Sequence, residues 1–184
     1  AAGLTPPTTW DELKDTAAAL TKDKVTGLAF CSVQNEEGTF NFMPWVWSTG
    51  TDSYTIDSEG GKKALTLAKD LIDSGSMSKE CINWTQGDVM NQFISGNVAM
   101  MINGPWQIPT MKEEAPDLNW DVTLIPKDSE YASALGGENY AVIAGGNEEG
   151  ALKFLEYATE QAQETYLMDK FGYISADKTI AETQ

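Results

Sequence analysis

Short apolar runs alternate along this chain with longer segments whose apolar residues recur at helical spacing, and that alternation restricts the fold to a sheet covered by helices on both faces. The helical period is clearest over residues 58–74, where Ala64, Leu67, Ala68, Leu71 and Ile72 recur at helical spacing and Gly75 follows in the position that ends a helix. Thr9-Trp10-Asp11-Glu12 has the spacing of a capping box, so a helix is expected from there to about Lys22. Thr85 caps another that carries Val89, Met90, Phe93 and Ile94 and stops at Gly96. Residues 40–47, dense in aromatics, read as a helix stopping at Gly50. Gly104-Pro105-Trp106 turns into a further helix, and a long one is expected over 147–168. Strands are expected at 26–31, 98–102, 121–125 and 139–144, with 54–56 as a short edge strand and 35–38 as a polar turn. The glycine pairs Gly136-Gly137 and Gly145-Gly146 suit a hinge or tight turns.

Charge excludes several partners. The formal net charge is −16 and every one of the 12 basic residues is lysine. Nucleic-acid binding needs basic residues to neutralise phosphates and arginine forks at base edges, so no nucleic-acid partner is expected. Anionic membrane surfaces are disfavoured on the same grounds. Histidine is absent, which removes His-based triads, Cys–His pairs and most zinc or iron sites; no metal and no cofactor is expected. Cys31 and Cys81 fit no metal spacing and leave open a disulfide or two buried thiols. The apolar run 98–102 is far too short to span a bilayer.

What remains suits a sugar. Sugar rings pack their C–H faces on aromatic planes and present hydroxyls to planar donors and acceptors such as Asn, Asp and Glu. Trp45, Trp47, Trp84, Trp106 and Trp120 supply the planes, with Phe40 and Phe42 nearby. Trp106 stands out: after Gly-Pro, at a helix start, it is held at the mouth of a strand, where open α/β sheets bind ligands. Trp10 and Trp120 read as structural. A carboxylate-based glycosidase would need a pair among Glu36, Glu37 and Glu138. Ser76-Met77-Ser78-Lys79 has the Ser-x-x-Lys spacing without a further partner motif. No phosphate-binding or calcium-binding loop is present, so a binding module is expected rather than an enzyme.

These segments together resemble the maltose-binding-protein-like family of extracellular solute-binding proteins (family 1). Residues 6–13, PPTTWDEL, resemble the segment after that family's first lobe. Residues 93–106, from FISGNVAM to NGPW, are similar to its most recognisable motif. Residues 135–140, LGGENY, resemble the strand returning toward the first lobe, and 171–175, FGYIS, the late turn, with Ser175 where many members have Pro. The resemblance implies a type II periplasmic-binding-protein-like α/β lobe, with a mixed sheet flanked by helices. It implies the substrate-binding component of an ABC importer: a mono- or oligosaccharide ligand, docking onto permease membrane subunits, and extracellular or periplasmic placement with a membrane anchor. On that pattern Trp106 stacks on the sugar, Glu138 and Asn139 face the cleft, and the Glu36–Phe40 loop adds contacts; Trp45 completes the candidate set. Residues 1–135 are then expected in the second lobe, 136–168 in an excursion belonging to the first, and 169–184 in a truncated return. Such a partial chain is expected to bind sugar weakly or not at all, and its 147–168 helix to fold back on the sheet or pack against a second copy. The same fold holding a polyamine, whose charge would suit the acidity, is the alternative ligand class.

Overall fold

The first helix begins where Thr9 can cap it. In the computed structural model, which describes residues 3–183, α1 spans Trp10–Leu20. Thr9 Oγ1 accepts the Glu12 N–H at 3.3 Å, while the Glu12 carboxylate accepts the N–H groups of Thr9 at 3.2 Å and Thr8 at 2.7 Å. These bonds satisfy backbone donors that no helical carbonyl can reach. The chain forms two compact units, Ala1–Asn103 with Asp117–Ala134, and Gly104–Pro116 with Leu135–Gln184.

In the first unit, β1 (Ala29–Phe30) and β2 (Met101–Ile102) pair in parallel, Ala29 opposite Met101 and Phe30 opposite Ile102. Single parallel bridges extend the pairing, Thr26 with Val98 on one side and Leu28 with Met77 on the other. The 26–31 run is therefore hydrogen-bonded along both edges and buried from Gly27 to Cys31, as a continuous apolar stretch should be. Its side chains alternate between two cores. Leu28 and Phe30 join Trp10, Leu13, Trp45, Leu67 and Leu71 beneath α1, α2 (Glu36–Ser48) and α3 (Glu59–Asp73). Ala29 and Cys31 face the opposite way, onto Val89 of α4 (Gln86–Ile94) and Val98. Helices thus cover both faces.

Gly27 makes the packing on α1 possible. A Cβ there would lie 2.5 Å from the Cα of Ala17, inside the helix backbone. Thr21 closes the same corner, its hydroxyl donating to the Ala17 carbonyl at 2.8 Å and accepting the Gly27 N–H at 2.9 Å. The 117–134 segment is pinned at two points. Lys127 N–H donates to the Thr8 carbonyl at 3.0 Å, and Trp10 N–H returns a bond to the Lys127 carbonyl. The buried Ser48 hydroxyl donates to the Glu130 carbonyl at 2.8 Å and accepts the Asp128 N–H at 2.7 Å.

The second unit holds α5 (Gln107–Glu114), α6 (Glu148–Ala158), α7 (Gln161–Phe171) and α8 (Lys178–Ala181), with α7 packed on each of the other three. Met111, Ala158, Met168 and Ile180 are buried. Gly172 ends α7 with φ 67°, and a Cβ there would lie 2.9 Å from the Pro105 carbonyl carbon.

Several expectations are corrected. The 121–125 and 139–144 segments are not strands: neither has a neighbouring strand to complete a ladder among the described residues, and Val122 N–H bonds instead to the Asp121 carboxylate at 2.8 Å. The sheet therefore stays a parallel pair where a mixed sheet was expected. The expected edge strand at 54–56 is a 3₁₀ turn, Ser53–Thr55, because Asp52 caps the Tyr54 N–H at 2.8 Å. Residues 36–38 are the first turn of α2 rather than a polar turn, since Asn35 Oδ1 accepts the Glu37 N–H at 2.9 Å. The long 147–168 helix is two helices. At the break the Thr159 hydroxyl bonds the Leu155 carbonyl at 2.9 Å, and Glu160 turns extended.

Candidate functional site

Trp106 takes its position from its neighbours. The chain leaves β2 at Ile102, turns through Gly104-Pro105, and enters α5 with Trp106 at the N-cap position. The indole lies over Gly104: a Cβ on that glycine would fall closer than 3.0 Å to Cη2, Cζ3 and Cζ2 of the ring. On its other side the Trp106 backbone is closed by Gly172, whose absent Cβ would sit 3.1 Å from the Trp106 Cα. Two glycines hold one half-buried indole. Upstream, Asn103 Nδ2 donates to the Gln86 carbonyl at 2.8 Å, fixing the residue from which the turn departs.

Glu36 and Phe40 lie one turn apart on α2, Glu36 exposed and Phe40 half-buried. Beside them Val33, Gln34, Asn35, Gly38, Thr39 and Phe42 line a shallow depression of about 450 Å3. Gly38 lets α2 start there, for a Cβ would lie 3.1 Å from the Val33 carbonyl carbon. Glu138 and Asn139 sit on the exposed stretch 135–141, outside any helix or strand, in the same unit as Trp106. Glu36 and Phe40 belong to the other unit.

Trp45 is not a ligand platform. It is wholly buried, 4.7 Å from the Phe30 ring and 6.3 Å edge-on from Phe42, and belongs to the core. Its aromatic payload goes into stability instead. Trp47 is likewise committed, its Nε1 donating to Ser53 Oγ at 2.8 Å. Glu37, read as part of an exposed turn, is half-buried; its carboxylate accepts the Gln86 N–H at 2.8 Å and so joins α2 to α4. That tie spans 49 residues and had no local signal. Phe42, expected near the aromatic planes, lines this depression, together with Val33 and Gln34, which carried no signal in the sequence.

Nucleophilic chemistry finds no support. Ser76 is buried, its hydroxyl accepting that of Ser74 at 3.0 Å, while Lys79 is exposed. Cys31 and Cys81 are free thiols, both buried, and burial pushes both up from the ordinary thiol range, further from the reactive thiolate. Among the described residues no cluster of carboxylates and thiols could hold a metal, and no helix is long and apolar enough to cross a membrane.

The whole chain, residues 1–184, matches the family model described as bacterial extracellular solute-binding protein. It is 29% identical over 188 residues to a Brucella abortus protein named as a binding protein, covering 96% of this chain and 46% of that one. It is 31% identical over 126 residues to the maltooligosaccharide ABC transporter solute-binding lipoprotein of Streptococcus pneumoniae, covering 66% of this chain and 29% of that one. Among solved structures it is similar to an ABC transporter solute binding protein from Thermotoga lettingae bound with α-D-tagatose, with a TM-score of 0.82 and 32% identity over 94% of this chain and 48% of that one. The chain thus spans less than half the length of these relatives.

Proposed function

Since the chain belongs to the bacterial extracellular solute-binding proteins, we propose that it contributes to recognising a saccharide as the substrate-binding component of an ABC importer. Its fold is that of a type II periplasmic sugar-binding protein lobe, and the family is one of solute-binding proteins rather than enzymes. The observation that carries the reading is Trp106, a half-buried indole braced over Gly104 at the start of α5. An aromatic plane held in this way offers a face to the C–H side of a pyranose, and the surplus of acidic and amide side chains offers partners for its hydroxyls. A relative named for maltooligosaccharide and a neighbour holding tagatose support the ligand class.

The proposal extends to Glu138 and Asn139 as hydroxyl partners and to Glu36 and Phe40 as contacts from α2. It assigns residues 1–135 to one lobe, 136–168 to an excursion into a second, and 169–184 to a return. Leu135, Tyr140 and Ile143 are all exposed on this one short stretch, and a run of exposed apolar side chains of that kind supports the excursion because a second lobe would cover it. Permease subunits are the partners, at the outer face of the membrane and with the binding protein anchored there. Calorimetry of the native full-length protein against maltotriose, glucose and spermidine tests the ligand class. A saccharide is expected to bind, and Trp106→Ala to weaken it about tenfold, the worth of one apolar ring contact. Binding of spermidine alone, or cleavage of maltotriose during incubation, would displace the reading in favour of a polyamine site or a glycosidase.

A further inference from the structure

The late turn after α7 builds a second aromatic surface within the unit that holds Trp106. Phe171, the last residue of α7, and Tyr173 stack at 5.7 Å between ring centroids with 26° between planes. Both remain open to solvent, 49% and 43% exposed. Their geometry is fixed from two sides. Gly172 between them takes the left-handed conformation (φ 67°), and its N–H donates to the Met168 carbonyl at 2.9 Å. The same glycine lies against Pro105 and the Trp106 backbone, where a side chain would collide. Beyond the turn, Ser175 hydrogen-bonds the Glu164 carboxylate of α7 and accepts the Asp177 N–H at 3.0 Å, so the segment cannot swing away cheaply.

Resting on the saccharide reading above, we infer that Phe171 and Tyr173 form a second stacking platform beside Trp106 that takes a further ring of an oligosaccharide. Residue 172 lies against the Trp106 backbone, so the turn that carries Phe171 and Tyr173 meets the chain at the root of the Trp106 side chain. A rigid, exposed pair of rings on a chain of net charge −16 suits a neutral, C–H-rich ligand and repels an anionic one.

The test is calorimetry of the native full-length protein with maltotriose and with glucose. In Tyr173→Ala the ratio of maltotriose to glucose affinity is expected to fall about 2- to 12-fold, the range for loss of one aromatic contact. Tyr173→Phe keeps the ring and is expected to keep the ratio, and thermal unfolding of both variants shows that the fold is retained. Trp106→Ala lowers affinity for both sugars. An unchanged ratio in Tyr173→Ala overturns the second platform while leaving the saccharide reading intact. A wild-type protein that binds neither sugar overturns both.

Discussion

Gly104→Ala separates the role of the Trp106 indole from its contribution to stability. The added Cβ would fall closer than 3.0 Å to three ring carbons, against about 3.5–4.0 Å for an ordinary carbon–carbon contact. The indole must therefore yield by more than about 0.5 Å, and a gap of about 0.5–1 Å forfeits a quarter to a half of a dispersion contact. A pyranose face covering about 60 Å2 of indole, at about 25 cal/mol/Å2, is worth about 1.5 kcal/mol. Losing a quarter to a half of that raises Kd about 2- to 4-fold, and tilting the ring away altogether about 12-fold. Stability should hardly change, because the colliding atoms are the far edge of a side chain rather than backbone. Calorimetry on the saccharide that binds the wild-type protein, paired with a thermal melt, reads both quantities. Gly87→Ala is the control, since a Cβ there meets only the Thr85 hydroxyl at 3.8 Å. Unchanged affinity in Gly104→Ala, with the melt also unchanged, would show that Trp106 is not the platform.

Gly27→Ala should behave oppositely: its Cβ strikes the α1 backbone at Ala17, so urea unfolding should show a loss of about 2–4 kcal/mol, and a loss below about 0.5 kcal/mol would mean that α1 and the 26–31 run separate easily. The capping carboxylates make a pH prediction. The Thr8 hydroxyl and N–H hold Glu12 below the usual carboxylate range, the Thr85 hydroxyl and N–H do the same for Asp88, and the Thr179 hydroxyl and N–H for Asp177. Lowered folded values mean that this stability is fully present above the unfolded value near pH 4 and is lost as pH falls through the folded ones. The acid-side fall in urea midpoint should be shallower in a Glu12→Gln, Asp88→Asn double variant, and an equally steep fall would show that these caps do not titrate with unfolding. Cys31 and Cys81 should stay silent to a thiol reagent in the native protein and react together in denaturant; one fast native thiol would contradict their burial.

Local signals were the readable ones. The Thr9 and Thr85 capping boxes, the α3 stripe and the glycines at 75 and 96 depend on residues within a turn of each other, and the structure has each of them. Strands at 121–125 and 139–144 needed partners that apolar composition cannot supply, so their absence was invisible in the sequence. α2 hid its outward face for a different reason: Gly38, Asn41, Met43, Pro44, Trp45, Val46 and Ser48 are all buried, leaving no single apolar stripe. Trp45 and Phe42 could not be told apart there, although one is core and the other lines the depression. The place of Trp106 at the start of α5 was legible because glycine and proline announce a tight turn, whereas Gly172 closing on its backbone from the far end of the chain was not.

The first unit is discontinuous, and this bears on the order in which a growing chain can finish folding. Ser48 meets its partners at Asp128 and Glu130 about 80 residues later, and Thr8 waits for Lys127. A nascent chain released up to α5 therefore carries an unclosed seam: the Ser48 hydroxyl, the Thr8 carbonyl and the Trp10 N–H all lack the bonds they will finally make. Closure across so long a loop is slow because its entropy is lost before any contact rewards it. Synthesis through residue 134 is thus the step that completes the first unit, after the residues of α5 have already been made.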